Sequence, residues 1–320
     1  MEETENTFEA DGLKPTVKGR FAPSPTGRMH LGNVFAALMS WLSAKSQGGQ
    51  WLLRIEDLDP QRSHAEYAET LMDDLLWLGL EWDEGPRIGG GNGPYWQSQR
   101  GDLYEQALRQ LQQKGLIYPC TCTRADIMAT QAPHESDGRV VYKGTCRNLA
   151  PGVKTGPAAI RMKVPSEGKG ILSFTDGHYG MQTIDLTTHC GDFIVRRKDE
   201  AWAYQLAVVV DDALMGINEV VRGCDLLLSS PQQIYLAQQL GFAPPHFTHL
   251  PLLCNKQGQR LSKRDQSLDM AALRTSNTPE EIIGMLAHAA GLQQSNEPIT
   301  AQELIGEFSW DKIPTNNIIM

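Results

Sequence analysis

Two stretches of this chain combine residue types and spacings that suit phosphate chemistry. The first is Arg20-Phe21-Ala22-Pro23-Ser24-Pro25-Thr26-Gly27-Arg28-Met29-His30-Leu31-Gly32-Asn33, and the second is Arg260-Leu261-Ser262-Lys263-Arg264. Pro23 and Pro25 lock φ and remove amide donors, so the loop they bound is stiff. Gly27 permits a turn that other residues resist. A helix starts near His30, and helix N-termini attract anions through free N–H groups and the dipole. His30 can donate a hydrogen bond to a phosphate oxygen, and Gly32, with no side chain, lets an adenine ring lie against the helix. For the His-Leu-Gly triplet alone, a helix start with an incidental histidine is the commoner meaning. The second stretch follows a polar turn, Asn255-Lys256-Gln257-Gly258. A basic loop there can swing onto phosphates and stabilise charge developing at an α-phosphorus and on departing pyrophosphate. Lys263 acts as a point charge, and Arg264 adds a fork. Taken alone, the loop is more often a solvated basic turn. Together the two stretches suit ATP chemistry in which pyrophosphate leaves.

Elements that must position these residues follow from patterning. Val17–Ala22 and Trp51–Ile55 read as strands, and Leu31–Leu42 as the helix between them. Ser63-x-x-Glu66 forms a capping box opening a helix to Leu78, which Gly79 stops. Leu71, Leu75 and Leu78 give that helix its apolar face. A further helix runs from Gln99 to Lys114 and ends at Gly115. This alternation predicts parallel βαβ units in a doubly wound sheet. From Ile117 to Cys190 the chain turns rich in Gly, Pro, Thr and short strand-like runs, as an insertion would. The alternation returns with Phe193–Val195, Leu206–Val210 and Glu219–Val221. The residues after Arg264 are mostly helical, with capping boxes at Thr278-Pro279-Glu280-Glu281 and Thr300-x-x-Glu303. There is no internal repeat.

The 320 residues are 41% hydrophobic and 21% charged, ordinary for a soluble globular protein with one large domain or two. No apolar run is long enough to span a bilayer, so no membrane partner is expected. Met1–Asp11 is acidic and polar, with no apolar h-region, which argues against a secretory signal and for a cytoplasmic protein with a disordered N-terminal tail. A net charge of −9 argues against non-specific nucleic-acid coating but leaves room for a local basic groove. Arg196-Arg197-Lys198 and Arg260–Arg264 are such clusters, though charge runs are usually solvated faces. The six cysteines, without secretory context, read as reduced thiols or metal ligands. Asp211-Asp212 suits either magnesium or the capping of a strand end. Arg54 and Asp57 read as a structural ion pair.

With these residues in view, the chain resembles class I aminoacyl-tRNA synthetases in their glutamyl/glutaminyl version. His30-Leu31-Gly32-Asn33 is similar to the "HIGH" signature and Arg260–Arg264 to the "KMSKS" loop. Leu53-Arg54-Ile55-Glu56-Asp57-Leu58-Asp59-Pro60-x-Arg62, Val208–Ile217 and Val221-Arg222-Gly223-Cys224-Asp225-Leu226-Leu227 complete five ordered matches. Asn33 stands where the signature ends in His, and Arg260-Leu261 where the loop has Lys-Met; the cation survives at Arg260. Glutamyl-tRNA synthetases continue from the basic loop into helical anticodon-binding domains, whereas the fifty-odd residues here can make only a few helices. The shortened form with cysteines in the insertion resembles the glutamyl-Q tRNA(Asp) synthetase family, which attaches glutamate to queuosine in the anticodon loop of tRNA(Asp).

The resemblance implies an α/β fold: a Rossmann-type class I catalytic domain, an inserted zinc-bearing subdomain and a short helical C-terminal segment. Its divisions are a tail over 1–15, catalytic halves over 16–116 and 191–265, the insertion over 117–190 and the C-terminal segment over 266–320. It implies ATP, L-glutamate and tRNA(Asp) as substrates, Mg2+ with ATP, one structural Zn2+, and a monomer. The glutamate pocket would use Arg20, Ala22, Ser24, Glu56, Tyr204 and Arg222, and the ATP site His30, Gly32 and Lys263, with His30 and Lys263 catalytic. This is chemically sensible. Two arginines offer bidentate carboxylate recognition, Glu56 partners the α-ammonium, and Tyr204 donates a phenolic hydrogen bond. Cys120, Cys122, Tyr142 and Cys146 match the family's zinc pattern, a closed and therefore structural site. Tyr is an unusual ligand, and His134 in the same insertion is the conventional alternative. Cys190, Cys224 and Cys254 show no metal spacing and read as small buried hydrophobes. Two rivals remain: a truncated synthetase charging the 3′ end of tRNA(Glu), and a non-catalytic tRNA-binding paralogue.

Overall fold

A computed structural model describes residues 16–129, 141–149, 156–166, 168–261 and 269–320. The N-terminal tail, His134, Lys263 and Arg264 lie outside the described residues.

Two parallel βαβ units form the frame. In the first, β1 (Lys18–Phe21) leads through α1 (Leu31–Ser46) to β2 (Gln50–Leu53), with Lys18 opposite Gln50 and Phe21 opposite Leu53. Helix α1 outruns its predicted end by a turn because its apolar run continues inward, and Leu31, Val34, Leu38, Trp41 and Leu42 are all buried. Next come α2 (Ala65–Trp77), α3 (Gly101–Gln113), β3 (Ile117–Cys120), α4 (Arg124–Ala129), β4 (Ala159–Met162), the hairpin β5 (Ile171–Asp176) and β6 (Gly180–Asp185), and the single turn α5 (Leu186–His189). Then β7 (Phe193–Arg196) and α6 (Tyr204–Leu214) precede the second unit: β8 (Glu219–Gly223), α7 (Ser230–Leu240) and β9 (His246–Leu250). The units meet along β1 and β8. There the Lys18 N–H donates to Asn218 Oδ1 at 2.8 Å and the Asn218 N–H donates to Lys18 O at 3.1 Å. The two-stranded sheets β1-β2 and β8-β9 lie side by side at this seam, and a crevice opens beyond the strand ends at such a junction.

Several expectations are corrected. Helix α2 is capped at His64, which makes no side-chain cap hydrogen bond, and the Ser63 hydroxyl is buried with no partner among the described residues; no Ser63–Glu66 capping box forms. Its other end is as predicted. Gly79 takes a φ of 75°, and the N–H groups of Gly79 and Leu80 donate to Leu76 O and Leu75 O, closing a Schellman motif. Leu71, Leu75 and Leu78 are buried, each contributing about 1.5–3 kcal/mol of transfer free energy. Strand β7 does not rejoin the parallel frame; it pairs antiparallel with β4 in a β3-β4-β7 sheet. Leu206–Val210 lie inside helix α6.

The C-terminal residues form β10 (Leu253–Cys254), α8 (Met270–Ser276), α9 (Pro279–Ala289), α10 (Ala301–Leu304) and β11 (Ile318–Ile319). Both predicted capping boxes, Thr278–Glu281 and Thr300–Glu303, are present. The segment is not purely helical: β11 returns to pair parallel with β10. Its apolar residues Met270, Ile282, Leu286 and Leu304 enter the same core as α1 and α2. No helix among the described residues is long and apolar enough to cross a membrane.

Candidate active site

The crevice at the β1/β8 seam is a pocket lined by Arg20, Ala22, His30, Gly32, Glu56, Tyr204 and Arg222, with the 250–253 segment and Arg260 along one wall. Arg20 sits near the end of β1, Arg222 near the end of β8, and Tyr204 at the first position of α6. Ser24 lines an adjoining groove that shares Glu56 and Tyr204 with the pocket.

At one end charges of both signs are buried together. Arg20, Glu56 and Arg222 expose only 5%, 8% and 5% of their surfaces. Burial pushes the Glu56 carboxyl up in pKa, and the neighbouring Arg54 and Arg20 pull it partly back. Burial lowers the Arg222 pKa, with Tyr204 opposing and Arg20 reinforcing the shift. Tyr204 keeps 37% of its surface exposed along the groove, while its hydroxyl, set among Arg222, Glu56 and Arg20, has its pKa raised chiefly by burial. Two guanidinium groups, one carboxylate and one phenol thus converge. That set complements a ligand with anionic groups and one cation, such as an acidic amino acid.

His30 caps α1 at the other end. Its Nδ1 accepts the Gly32 N–H at 3.1 Å, and its own N–H donates to Asn33 Oδ1 at 3.2 Å. With Nδ1 used as an acceptor, the neutral ring carries its proton on Nε2, the atom able to donate to phosphate. Asn33 thus has a role where no cation is needed: it completes the cap. A Cβ at Gly32 would stand 3.0 Å from His30 Cε1, so glycine keeps the imidazole seated as well as opening the helix face. Arg260, the first residue of the basic loop, is ion-paired with Asp225 of the same pocket wall.

Sequence reasoning missed the network beneath the pocket. Arg54 is fully buried and reaches Glu56 at 3.1 Å and Asp212 at 2.7 Å. Arg20 lies 3.4 Å from Asp212, and Asp211 receives Arg100 at 2.6 Å, Gln97 at 2.8 Å and the Tyr104 hydroxyl at 2.9 Å. Asp211 and Asp212 are therefore neither a magnesium site nor a strand cap. They sit on α6, occupied by arginines. Arg54 does not pair with Asp57, whose carboxylate takes the Ser98 N–H and hydroxyl instead. Two adjacent aspartates in an apolar run signal that buried cations must meet them, but not which cations.

In the insertion, Cys120, Cys122 and Cys146 place their sulfurs within 4.8 Å of one another. The Tyr142 hydroxyl lies 3.3 Å from Cys120 Sγ and 3.7 Å from Cys122 Sγ, and Cys122 Sγ lies 3.5 Å from Cys146 Sγ. Metal–sulfur bonds of about 2.3 Å in a tetrahedron give edges near 3.8 Å, so these four atoms fit a zinc shell with little adjustment. The Cys146 N–H donates to Tyr142 Oη at 2.8 Å, and the Arg161 guanidinium stands 3.9 Å above the ring; burial and the neighbouring thiols nonetheless raise the Tyr142 pKa. Burial raises the Cys146 pKa, but hydrogen bonds with Tyr142 and Cys122 outweigh it and bring the thiol down to about 7. Of the other cysteines only Cys254 is buried; Cys190 and Cys224 are half-buried.

The adjoining groove is lined by Ser24, Thr26, Asp59, Arg62, Arg197 and Trp202. The basic cluster at its edge makes contacts of its own, with Arg197 still exposed. Arg196 stacks on Trp202 at 4.8 Å, Arg197 pairs with Asp199 at 2.7 Å, and Lys198 donates to Thr121 O at 2.5 Å.

Residues 16–318 match the family described as tRNA synthetases class I (E and Q), catalytic domain. A glutamyl-Q tRNA(Asp) synthetase of Nitratidesulfovibrio vulgaris is 46% identical over 311 residues, covering 95% of both chains. One of Symbiobacterium thermophilum is 47% identical over 306 residues, covering 92% of this chain and 93% of its own. Among solved structures, a glutamate tRNA ligase from Elizabethkingia meningosepticum in complex with its amino acid superposes with a TM-score of 0.81 at 31% identity, over 95% of this chain and 67% of that one.

Proposed function

The chain belongs to the class I tRNA synthetases for glutamate and glutamine, and on that premise we propose that it activates glutamate with ATP and transfers it to queuosine in the anticodon loop of tRNA(Asp). The observation that carries this reading is the convergence of Arg20, Glu56, Tyr204 and Arg222 at one end of a pocket whose other end holds His30 and Gly32. The glutamate α-carboxylate attacks the α-phosphorus, the bond to the β-phosphate oxygen breaks, and pyrophosphate leaves. A nucleoside hydroxyl then attacks the mixed-anhydride carbonyl, forming an ester and releasing AMP. No protein nucleophile is needed, so the chain's part is positioning and charge stabilisation.

Arg20 and Arg222 hold carboxylates, Glu56 takes the α-ammonium, and Ala22 and Ser24 shape the pocket floor and rim. His30 Nε2 donates to a phosphate, Gly32 admits the adenine, and Lys263 meets the charge growing on pyrophosphate. Magnesium enters with ATP. The groove beyond Glu56 and Tyr204 receives the acceptor nucleoside. Zinc held by Cys120, Cys122, Tyr142 and Cys146 would be structural, because four protein donors leave no open position.

The end-to-end alignment with relatives of the glutamyl-Q type supports the acceptor assignment over 3′ charging of tRNA(Glu). The test is to charge tRNA(Asp) with labelled glutamate, digest with a base-specific nuclease and locate the label. Label on the anticodon fragment supports the reading; label on the 3′-terminal fragment overturns it.

A further inference from the structure

Behind Arg222, on the side away from the pocket, lies a run of buried polar groups that the reaction above does not use. Asp176 ends β5, and its Oδ1 accepts the N–H groups of His178 at 3.0 Å, Tyr179 at 2.9 Å and His249 at 3.3 Å. Its Oδ2 lies 2.5 Å from His249 Nδ1. His249 Nε2, in turn, faces Arg222 Nε at 3.1 Å and Ser230 Oγ at 3.2 Å. Asp176, His249 and Ser230 are 2%, 0% and 0% exposed. The order Asp–His–Ser has the look of a hydrolytic triad, but Ser230 Oγ is sealed from solvent and accepts Arg222 Nη2 at 2.8 Å. It has neither access to a substrate nor a base free to activate it.

The donor set fixes what the relay does. An arginine Nε can only donate, so His249 Nε2 must be the acceptor and Nδ1 must carry the proton toward Asp176. Burial keeps His249 neutral to lower pH than an ordinary histidine, in agreement with that tautomer. Arg222 Nη1 is held by Gln233 Oε1 at 2.8 Å, and the Phe247 ring lies 4.8 Å from the guanidinium carbon. Every acceptor named is uncharged. Among the described residues no carboxylate lies within ion-pair distance of Arg222. A buried cation without a direct counter-ion is costly unless an anion joins it. A carboxylate in direct contact would neutralise it and compete with the substrate. Charge reaches it from two sides instead: Asp212, beyond ion-pair distance, acts through space, and Asp176 is joined to its Nε edge through one imidazole.

We propose that Asp176 and His249 are positioning residues for glutamate recognition: they lock the Arg222 guanidinium through its Nε edge and compensate its charge at one remove, leaving its remaining face for a substrate carboxylate. This rests on Arg222 being a glutamate ligand. Because such a contact is made in the ground state and the transition state alike, its loss falls on KM rather than kcat.

The experiment uses the full chain and measures glutamate and ATP dependence of pyrophosphate exchange, with glutamate binding by calorimetry. Hydrogen bonds to charged groups predict that His249→Phe and Asp176→Asn raise the glutamate KM and Kd about tenfold or more. The ATP KM and kcat should stay within a few-fold, and His249→Gln, which keeps an acceptor, should recover part of the loss. Arg222→Ala tests the underlying reading separately. Unchanged glutamate affinity there removes its basis. If Arg222→Ala loses affinity while His249→Phe and Asp176→Asn keep it, the relay is overturned. It is equally overturned if those two variants weaken glutamate and ATP alike, the mark of a general folding defect.

Discussion

Glu56 pairs with the buried Arg54 and, in the function proposed above, takes the α-ammonium of glutamate. Replacing it with glutamine keeps the shape and removes the charge. Glu56→Gln should raise the glutamate KM by roughly 10–100-fold, from a lost charge-assisted bond of about 1.5–3 kcal/mol. The ATP KM should hold, and the melting temperature should barely move because Arg54 keeps Asp212 at 2.7 Å. Steady-state exchange kinetics with a thermal melt check both halves. Lys263→Ala belongs with the opposite signature. A cation that meets charge grown only in the transition state should cost about 2.7–4 kcal/mol in the rate of adenylate formation and little in substrate affinity. Single-turnover rates within a few-fold of the parent would remove Lys263 from that role. At this scale the sequence was legible where chemistry forces a motif. Arg20, His30, Gly32, Glu56 and Arg222 stand in one pocket as ordered stretches of chain implied. Asp211, Asp212 and Arg54 were not, because their meaning is a contact across 158 residues that no local pattern encodes.

Among the elements, the helices were read well and the strands less so. Helix ends obey local rules: Gly79 and Gly115 take positive φ after α2 and α3, and both C-terminal capping boxes form. The Ser63 cap failed because His64 took the N-cap position. Strand β7 looks like any short apolar run, and nothing local tells an antiparallel partner in the insertion from a parallel one in the frame. The cysteine cluster joins the end of β3 to the segment around Tyr142 and Cys146. If zinc holds them, Cys122→Ser should lose bound metal and several degrees of melting temperature. Adenylate formation at low temperature should survive, because the cluster lies outside the pocket. Metal analysis of freshly purified, unchelated protein is the deciding measurement, and an absence of zinc there would sink the idea.

For the whole molecule, the proposed function puts glutamate and ATP together in one pocket completed by both βαβ units. Glutamate-dependent pyrophosphate exchange should therefore proceed without RNA, at a rate that added tRNA changes little. Exchange appearing only after tRNA is added would reject this while leaving the fold and the pocket intact. The C-terminal helices share a core with α1, and β11 pairs with β10 just ahead of the basic loop. The loop's base is consequently tied to the body of the protein.

The seam between β1 and β8 also sets an order in time. Pairing β1 with β2 closes about thirty residues, whereas the bonds between Lys18 and Asn218 close 200. The longer closure costs about 1.6 kcal/mol more in chain entropy, and it is reached only after the intervening sheet has room to fold. Each βαβ unit can thus assemble while the pocket still does not exist, and neither half alone offers glutamate both arginines. Substrates should leave the refolding rate unchanged and slow unfolding, a difference that stopped-flow traces with and without glutamate and ATP would register. On this reasoning the binding site forms after the units that line it, and opening the seam destroys it.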